Sequence, residues 1–145
     1  MKTFPMFLRM AGRRVVILGG GEQAAQKTRL MLKTEAEIVV AAPALEPELA
    51  ALAARGRVRH VAEATPELFA NAALAFVATG DRDADARLAA VARAAGVVTN
   101  VVDAPELCDA FTPSIVDRDP LVVAIGTEGT APVLARQLKT RIETM

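Results

Sequence analysis

Apolar and polar positions follow two alternating rhythms along this chain. Short apolar runs recur, and longer stretches between them mix apolar with charged positions. The segments at residues 13–18, 37–41, 57–61, 74–78 and 97–102 read as strands, and the four apolar residues Val15-Val16-Ile17-Leu18 mark the first as buried. The intervening segments read as helices. Residues 22–33 carry Ala25, Leu30 and Leu32 among charged positions. Residues 47–55 open on Pro47 and stop before Gly56, the asymmetry that helix ends favour. Thr65 is the expected N-cap of a short helix beginning at Pro66 and Glu67. Residues 83–95 form a further helix, closed by Gly96. Strands alternating with helices predict parallel βαβ units, and hence an α/β, Rossmann-like, doubly wound sheet.

The rhythm changes after Asp103. Residues 111–116 and 121–125 are apolar, β-prone runs separated by Asp117-Arg118-Asp119-Pro120, which reads as a turn. They predict an antiparallel β-hairpin. A polar loop then leads to Pro132 and a C-terminal helix over 132–143. An isolated hairpin is marginal in water. A second copy of the chain is therefore expected to cover the segment from Phe111 to Ile125, symmetric dimers being the commonest oligomers. The alternative is a hairpin folded back onto its own sheet.

Composition narrows the class. The 145 residues, 52% hydrophobic and 23% charged, suit one soluble globular domain with a real core. Formal net charge is zero and Trp and Tyr are absent, which argues against nucleic-acid binding by a basic field or by base stacking. Pro5 and Arg9 interrupt the N-terminal apolar stretch too early for a secretory signal. No apolar run approaches the roughly 20 residues that span a bilayer. A cytoplasmic protein without membrane contact is expected. One cysteine and one histidine exclude an internal disulfide, a cysteine-cluster zinc site and a His-rich site, so no metal is assigned.

Chemistry concentrates after the first strand. Gly19-Gly20-Gly21-Glu22-Gln23-Ala24 fits the G-x-G-x-x-A dinucleotide fingerprint in its required place, after a strand and before a helix. Gly19 permits the sharp turn, Gly21 lets backbone approach a pyrophosphate, and Ala24 lets the helix lie close on the sheet. The helix start then offers N–H groups and partial positive charge to phosphates. Ligands of such sheets bind beyond the strand C-termini. That rule adds Ala42, Pro43 and Ala44, then Thr79, Gly80 and Asp81, then Asp103. The ribose-binding acid usual after the second strand is replaced by Ala41-Ala42-Pro43-Ala44, and no arginine there favours a 2′-phosphate, which points to NAD over NADP. Asp103 reads either as a general base facing the crevice or as a turn cap before Pro105. His60 reads as a surface or edge residue, and Cys108 as a small buried filler. Arg136, Lys139 and Arg141 read as a solvated face or as a cationic rim for an acidic substrate. The expected organisation is an NAD-binding domain at 1–110 and a dimerisation hairpin and helix at 111–145.

These residues resemble the N-terminal domain of siroheme synthase, also found as free-standing precorrin-2 dehydrogenase. The resemblance runs from about Phe4 to Ile142. It is carried by Phe4-Pro5-Met6-Phe7, Val16-Ile17-Leu18-Gly19-Gly20-Gly21, Ala42-Pro43, Ala78-Thr79-Gly80-Asp81, the run Asn100-Val101-Val102-Asp103-Ala104-Pro105-Glu106-Leu107-Cys108-Asp109, Pro113-Ser114-Ile115-Val116 and Gly129-Thr130-Ala131-Pro132-Val133-Leu134-Ala135-Arg136. It implies NAD-dependent oxidation of precorrin-2 to sirohydrochlorin on the way to sirohaem. It further implies that Glu22, Gln23, Pro43 and Ala44 contact NAD, that Thr79 lies beside the nicotinamide, and that Asp103 is the catalytic aspartate. A homodimer through the segment from Phe111 to Ile125 is implied as well. The chain departs from the family's pattern at Gly80, where another acid is usual, and at Gly126-Thr127-Glu128. Members usually continue into a helical domain that helps enclose the tetrapyrrole. With the chain ending at Met145, sirohydrochlorin ferrochelatase activity ranks below the dehydrogenase, and the chain is expected to be either a short form or a piece of a longer protein. The competing reading is a non-catalytic nucleotide-sensing Rossmann module.

Overall fold

The computed structural model describes all residues from Met1 to Met145. They divide into two compact units, Leu8–Ala110 and the paired segments Met1–Phe7 and Phe111–Met145. In the first unit, strands β1 (Arg14–Leu18), β2 (Glu37–Ala41), β3 (Arg59–Val61), β4 (Ala72–Val77) and β5 (Val98–Val101) form one parallel sheet in the order β3-β2-β1-β4-β5. Helices α1 (Glu22–Met31), α2 (Pro47–Ala54) and α3 (Arg82–Ala94) connect them, with 3-10 turns at Pro66–Phe69 and Pro105–Leu107. This is the doubly wound Rossmann-like sheet expected from the alternation.

Alternate residues along each strand serve opposite faces. Val15, Ile17, Ile38, Val40 and Phe76 pack with Ala24, Ala25, Leu49 and Leu52 of α1 and α2. Val16, Leu18, Val39, Ala75 and Val77 pack with Leu68 and Phe69 and with Ala89 and Ala92 of α3. Burial on both faces is why the central strands read as unbroken apolar runs. Register follows from the same packing, with Val16 opposite Val39 on one side and Ala75 on the other.

Several boundaries shift for local reasons. The Arg13 N–H bonds to Met10 O in a turn, so β1 starts one residue later than its apolar run. Helix α1 stops at Met31, not Lys33, because Thr34 donates both its N–H (3.0 Å) and its hydroxyl (2.7 Å) to Met31 O. Its buried face is Ala24, Ala25, Thr28 and Met31, whereas Leu30 and Leu32 are only half-buried. Thr65 occupies the N-cap position before Pro66, but its side chain makes no capping bond, and the segment is a single 3-10 turn.

The second unit holds β6 (Ser114–Arg118) and β7 (Leu121–Ile125), an antiparallel pair forming its own two-stranded sheet, and α4 (Pro132–Glu143) packed on it. The hairpin does not join the parallel sheet. Strand β6 begins at Ser114 rather than Phe111, since Pro113 has no N–H to give a ladder. The strands run on to Arg118 and Leu121, so the turn shrinks to Asp119 and Pro120. Val116 and Ala135 are buried, whereas Phe111, Leu121, Val122, Val133 and Leu134 are exposed. On α4, Lys139 pairs with Glu143 at 3.7 Å, while Arg136 and Arg141 are exposed. No helix is long and apolar enough to cross a membrane.

Candidate functional site

The sheet order reverses at β1. From β1 the chain first winds outward to β2 and β3, then returns to place β4 on the other flank. A crevice at such a reversal, beyond the strand C-termini, is where doubly wound sheets hold ligands. Four segments converge there: the glycine turn after β1, residues 42–44 after β2, residues 78–81 after β4, and residues 102–108 after β5.

The three glycines do three different things. Gly19 has φ +140°, and a Cβ there would sit 2.1 Å from Ala78 O. Gly20 has an ordinary backbone, but a Cβ would lie 2.0 Å from Ala44 O, and its carbonyl accepts from the Glu46 N–H at 2.7 Å. Both glycines are demanded by the fold. A Cβ on Gly21 would meet nothing within 4 Å. Gly21 is the N-cap of α1 and gives it no side-chain cap, so the N–H groups of the first turn are left to a ligand. Ala24 is fully buried under the sheet, as its small size requires. Pro43 and Ala44 are exposed at the rim. His60 is exposed on edge strand β3, yet its Nε2 lies 2.8 Å from Ala42 O, so it braces the turn leading to Pro43 rather than standing apart from the crevice.

Glu22 and Gln23 diverge. The Glu22 carboxylate pairs with Arg29 at 2.9 Å, and Arg29 also holds Glu48 at 2.5 Å. These contacts hold the Arg29 guanidinium above its ordinary pKa. Gln23 turns the other way, and its Nε2 donates to Asp103 Oδ2 at 3.2 Å. Asp103 is exposed, with φ +60°, in the turn that follows β5. One turn beyond Gln23, Lys27 places its ammonium 5.5 Å from the Phe76 ring centroid. Burial lowers the Lys27 pKa, and the neighbouring Cys108 and Asp103 partly offset that effect.

Cys108 is more than a filler. Its Sγ accepts from the Val101 N–H at 3.1 Å and reaches Val101 O at 3.2 Å and Ala104 O at 3.5 Å. The next residue repeats the pattern: the Asp109 N–H donates to Thr99 O at 2.8 Å, and its carboxylate accepts from the Thr99 N–H at 3.2 Å. Arg93 anchors Asp109 at 2.9 Å. The segment thus satisfies the open edge of β5 and frames the turn that carries Asp103.

Residues 6–114 match the family described as "Putative NAD(P)-binding". The chain belongs to this family. It is 46% identical over 146 residues to siroheme synthase of Methylobacillus flagellatus, spanning all of this chain and 31% of that protein. It is 42% identical over 146 residues to siroheme synthase of Chromobacterium violaceum, with the same coverage. Among solved structures it is similar to SirC, precorrin-2 dehydrogenase, with TM-score 0.75 and 25% identity, covering 98% of this chain and 70% of that one. The chain therefore spans about a third of the length of these siroheme synthases. The resemblance read from the motifs is borne out. The glycine turn suits the family's dinucleotide, because open space above Gly21 and an uncapped helix start are what a diphosphate needs.

Sequence reasoning passed over two groups. Asp85 is 6% exposed on α3, and its Oδ1 accepts from the Thr79 N–H at 3.0 Å and from the Thr79 hydroxyl at 2.5 Å. Lys27 is the other. For Asp85 a signal existed: it shares helical spacing with buried Ala89 and Ala92, so it is an acid on an apolar stripe.

Proposed function

We propose that the chain catalyses NAD-dependent dehydrogenation of precorrin-2 to sirohydrochlorin, with Asp103 as its base. The observation that carries this reading is the Gln23–Asp103 hydrogen bond, which ties a carboxylate to the helix opening from the glycine turn. Leu8–Ala110 is the coenzyme-binding unit. The first-turn N–H groups beside Gly21 seat the diphosphate, and Glu22 contributes its backbone, since its carboxylate is engaged by Arg29. Gly19, Gly20 and Ala24 shape that seat. Pro43 and Ala44 border the adenosine end, where the lack of an arginine favours NAD over NADP. Thr79 borders the pyridine end. The bound coenzyme supplies a hydride acceptor. Asp103 takes the proton released as hydride departs from the reduced tetrapyrrole, and Gln23 holds the carboxylate in place by one oxygen.

Supporting this reading are the similarity to siroheme synthases and to a precorrin-2 dehydrogenase, and an exposed carboxylate hydrogen-bonded to Gln23 in the turn after β5. The second unit serves as a homodimer interface, because its exposed Phe111, Leu121 and Val122 leave apolar surface uncovered. The site of action is the cytoplasm. Asp103→Ala is expected to lower the formation of reduced nicotinamide from precorrin-2 by roughly 10²–10⁴-fold with NAD affinity intact. An unchanged rate removes Asp103 from the mechanism, and no turnover by well-folded wild type removes the dehydrogenase.

A further inference from the structure

Thr79 lies two residues beyond the end of β4, the strand that flanks β1, directly against the glycine turn. The Cβ that Gly19 lacks would fall 3.1 Å from the Thr79 N atom. The adenosine half of a dinucleotide lies towards β2 in this fold, so the other half lies towards β4 and Thr79. The hydroxyl of Thr79 has one proton and two lone pairs. Three partners surround it: Asp85 Oδ1 at 2.5 Å, the Asp81 N–H at 3.1 Å and Asp81 O at 3.2 Å. The two oxygens compete for the proton. The short contact to a carboxylate wins, since charge-assisted bonds are shorter and roughly twice as strong as neutral ones. The Asp81 N–H occupies one lone pair. What remains for a ligand is the other lone pair, an acceptor.

We propose that Asp85 is a positioning residue which fixes the Thr79 hydroxyl as an acceptor, so that the site selects a coenzyme whose pyridine ring carries a hydrogen-bond donor, the carboxamide NH₂. Asp85 touches neither coenzyme nor substrate and acts through Thr79. Its burial fits this role, because a buried acid persists when its bonds are satisfied, and Oδ1 receives two from Thr79. The inference rests on the NAD reading given above and deepens it.

The test compares two coenzymes by calorimetry on the full chain: NAD, and 3-acetylpyridine adenine dinucleotide, in which a methyl ketone replaces the carboxamide. Wild type is expected to bind NAD about 5-fold more tightly, the effect of one ordinary hydrogen bond. Thr79→Val and Asp85→Ala are each expected to abolish the preference, and the double variant to be no worse than either single one. Thr79→Ser and Asp85→Asn are expected to keep it, because Ser retains the hydroxyl and the Asn oxygen can accept both bonds. Asp85→Leu fills the buried space without an acceptor and takes the place of Asp85→Ala if that variant does not fold. Absence of a preference in wild type overturns the proposal, as does its persistence in Asp85→Ala or Asp85→Leu. Failure of folded wild type to take up NAD at all removes the coenzyme reading itself, a distinguishable result.

Discussion

Gly19, Gly20 and Gly21 adjoin in sequence and differ in cause. The first two are required by backbone packing, against Ala78 O and Ala44 O, and the third is not required by the protein at all. Substitutions should separate these roles. Gly21→Val is expected to leave the thermal midpoint within a few degrees of wild type while abolishing NAD uptake, because the added side chain fills space the fold does not use. Gly20→Ala is expected to lower the midpoint sharply, since overpacking costs about 1–3 kcal/mol or more. Calorimetry with NAD and a thermal melt on both variants check this; equal melts would contradict it. The turn at Gly19 was legible in the sequence, because the fingerprint assigns it a mechanical task that its φ of +140° shows. The task of Gly20 was hidden, since it depends on residue 44 returning beside it. Gln23 and Asp103 were singled out in the sequence, but their pairing was not, and Lys27 and Asp85, inside α1 and α3, were passed over. Sheet order alone brings α1 against the turn after β5.

At the scale of the element, strands were the most legible part. Val15 to Leu18 and Ile38 to Ala41 are apolar throughout because helices cover both faces of the sheet. Edges were less legible. Strand β5 pairs with β4 on one side only, and its outward N–H and C=O groups at Thr99 and Val101 are met by Asp109 and Cys108. A thiol serving as a stand-in ladder partner leaves no trace in an apolar pattern, which is why Cys108 read as a filler. Cys108→Ala should therefore cost about 1–2 kcal/mol, the penalty of a buried donor without a partner. Urea unfolding measures it, and hydrogen exchange at the Val101 amide should quicken. Cys108→Ser should recover most of the loss. A wild-type urea midpoint in Cys108→Ala would show that the thiol supports nothing.

For the whole molecule, the sequence reading divides the chain into 1–110 and 111–145, whereas the compact units are Leu8–Ala110 and Met1–Phe7 with Phe111–Met145. The place of Met1–Phe7 in the second unit is a grouping no local pattern reveals. That unit exposes Phe4, Phe7, Phe111, Leu121 and Val133, each more than half accessible. Apolar surface of this kind is what the proposed homodimer would cover. Leu121→Lys combined with Val122→Lys is expected to shift sedimentation from dimer to monomer; an unshifted boundary would place the interface elsewhere.

All the residues proposed to seat the coenzyme fall in one uninterrupted stretch between Leu8 and Ala110. In the proposed homodimer, a dissociated copy is accordingly expected to titrate with NAD as an undissociated one does, each subunit taking up oxidant independently of its partner.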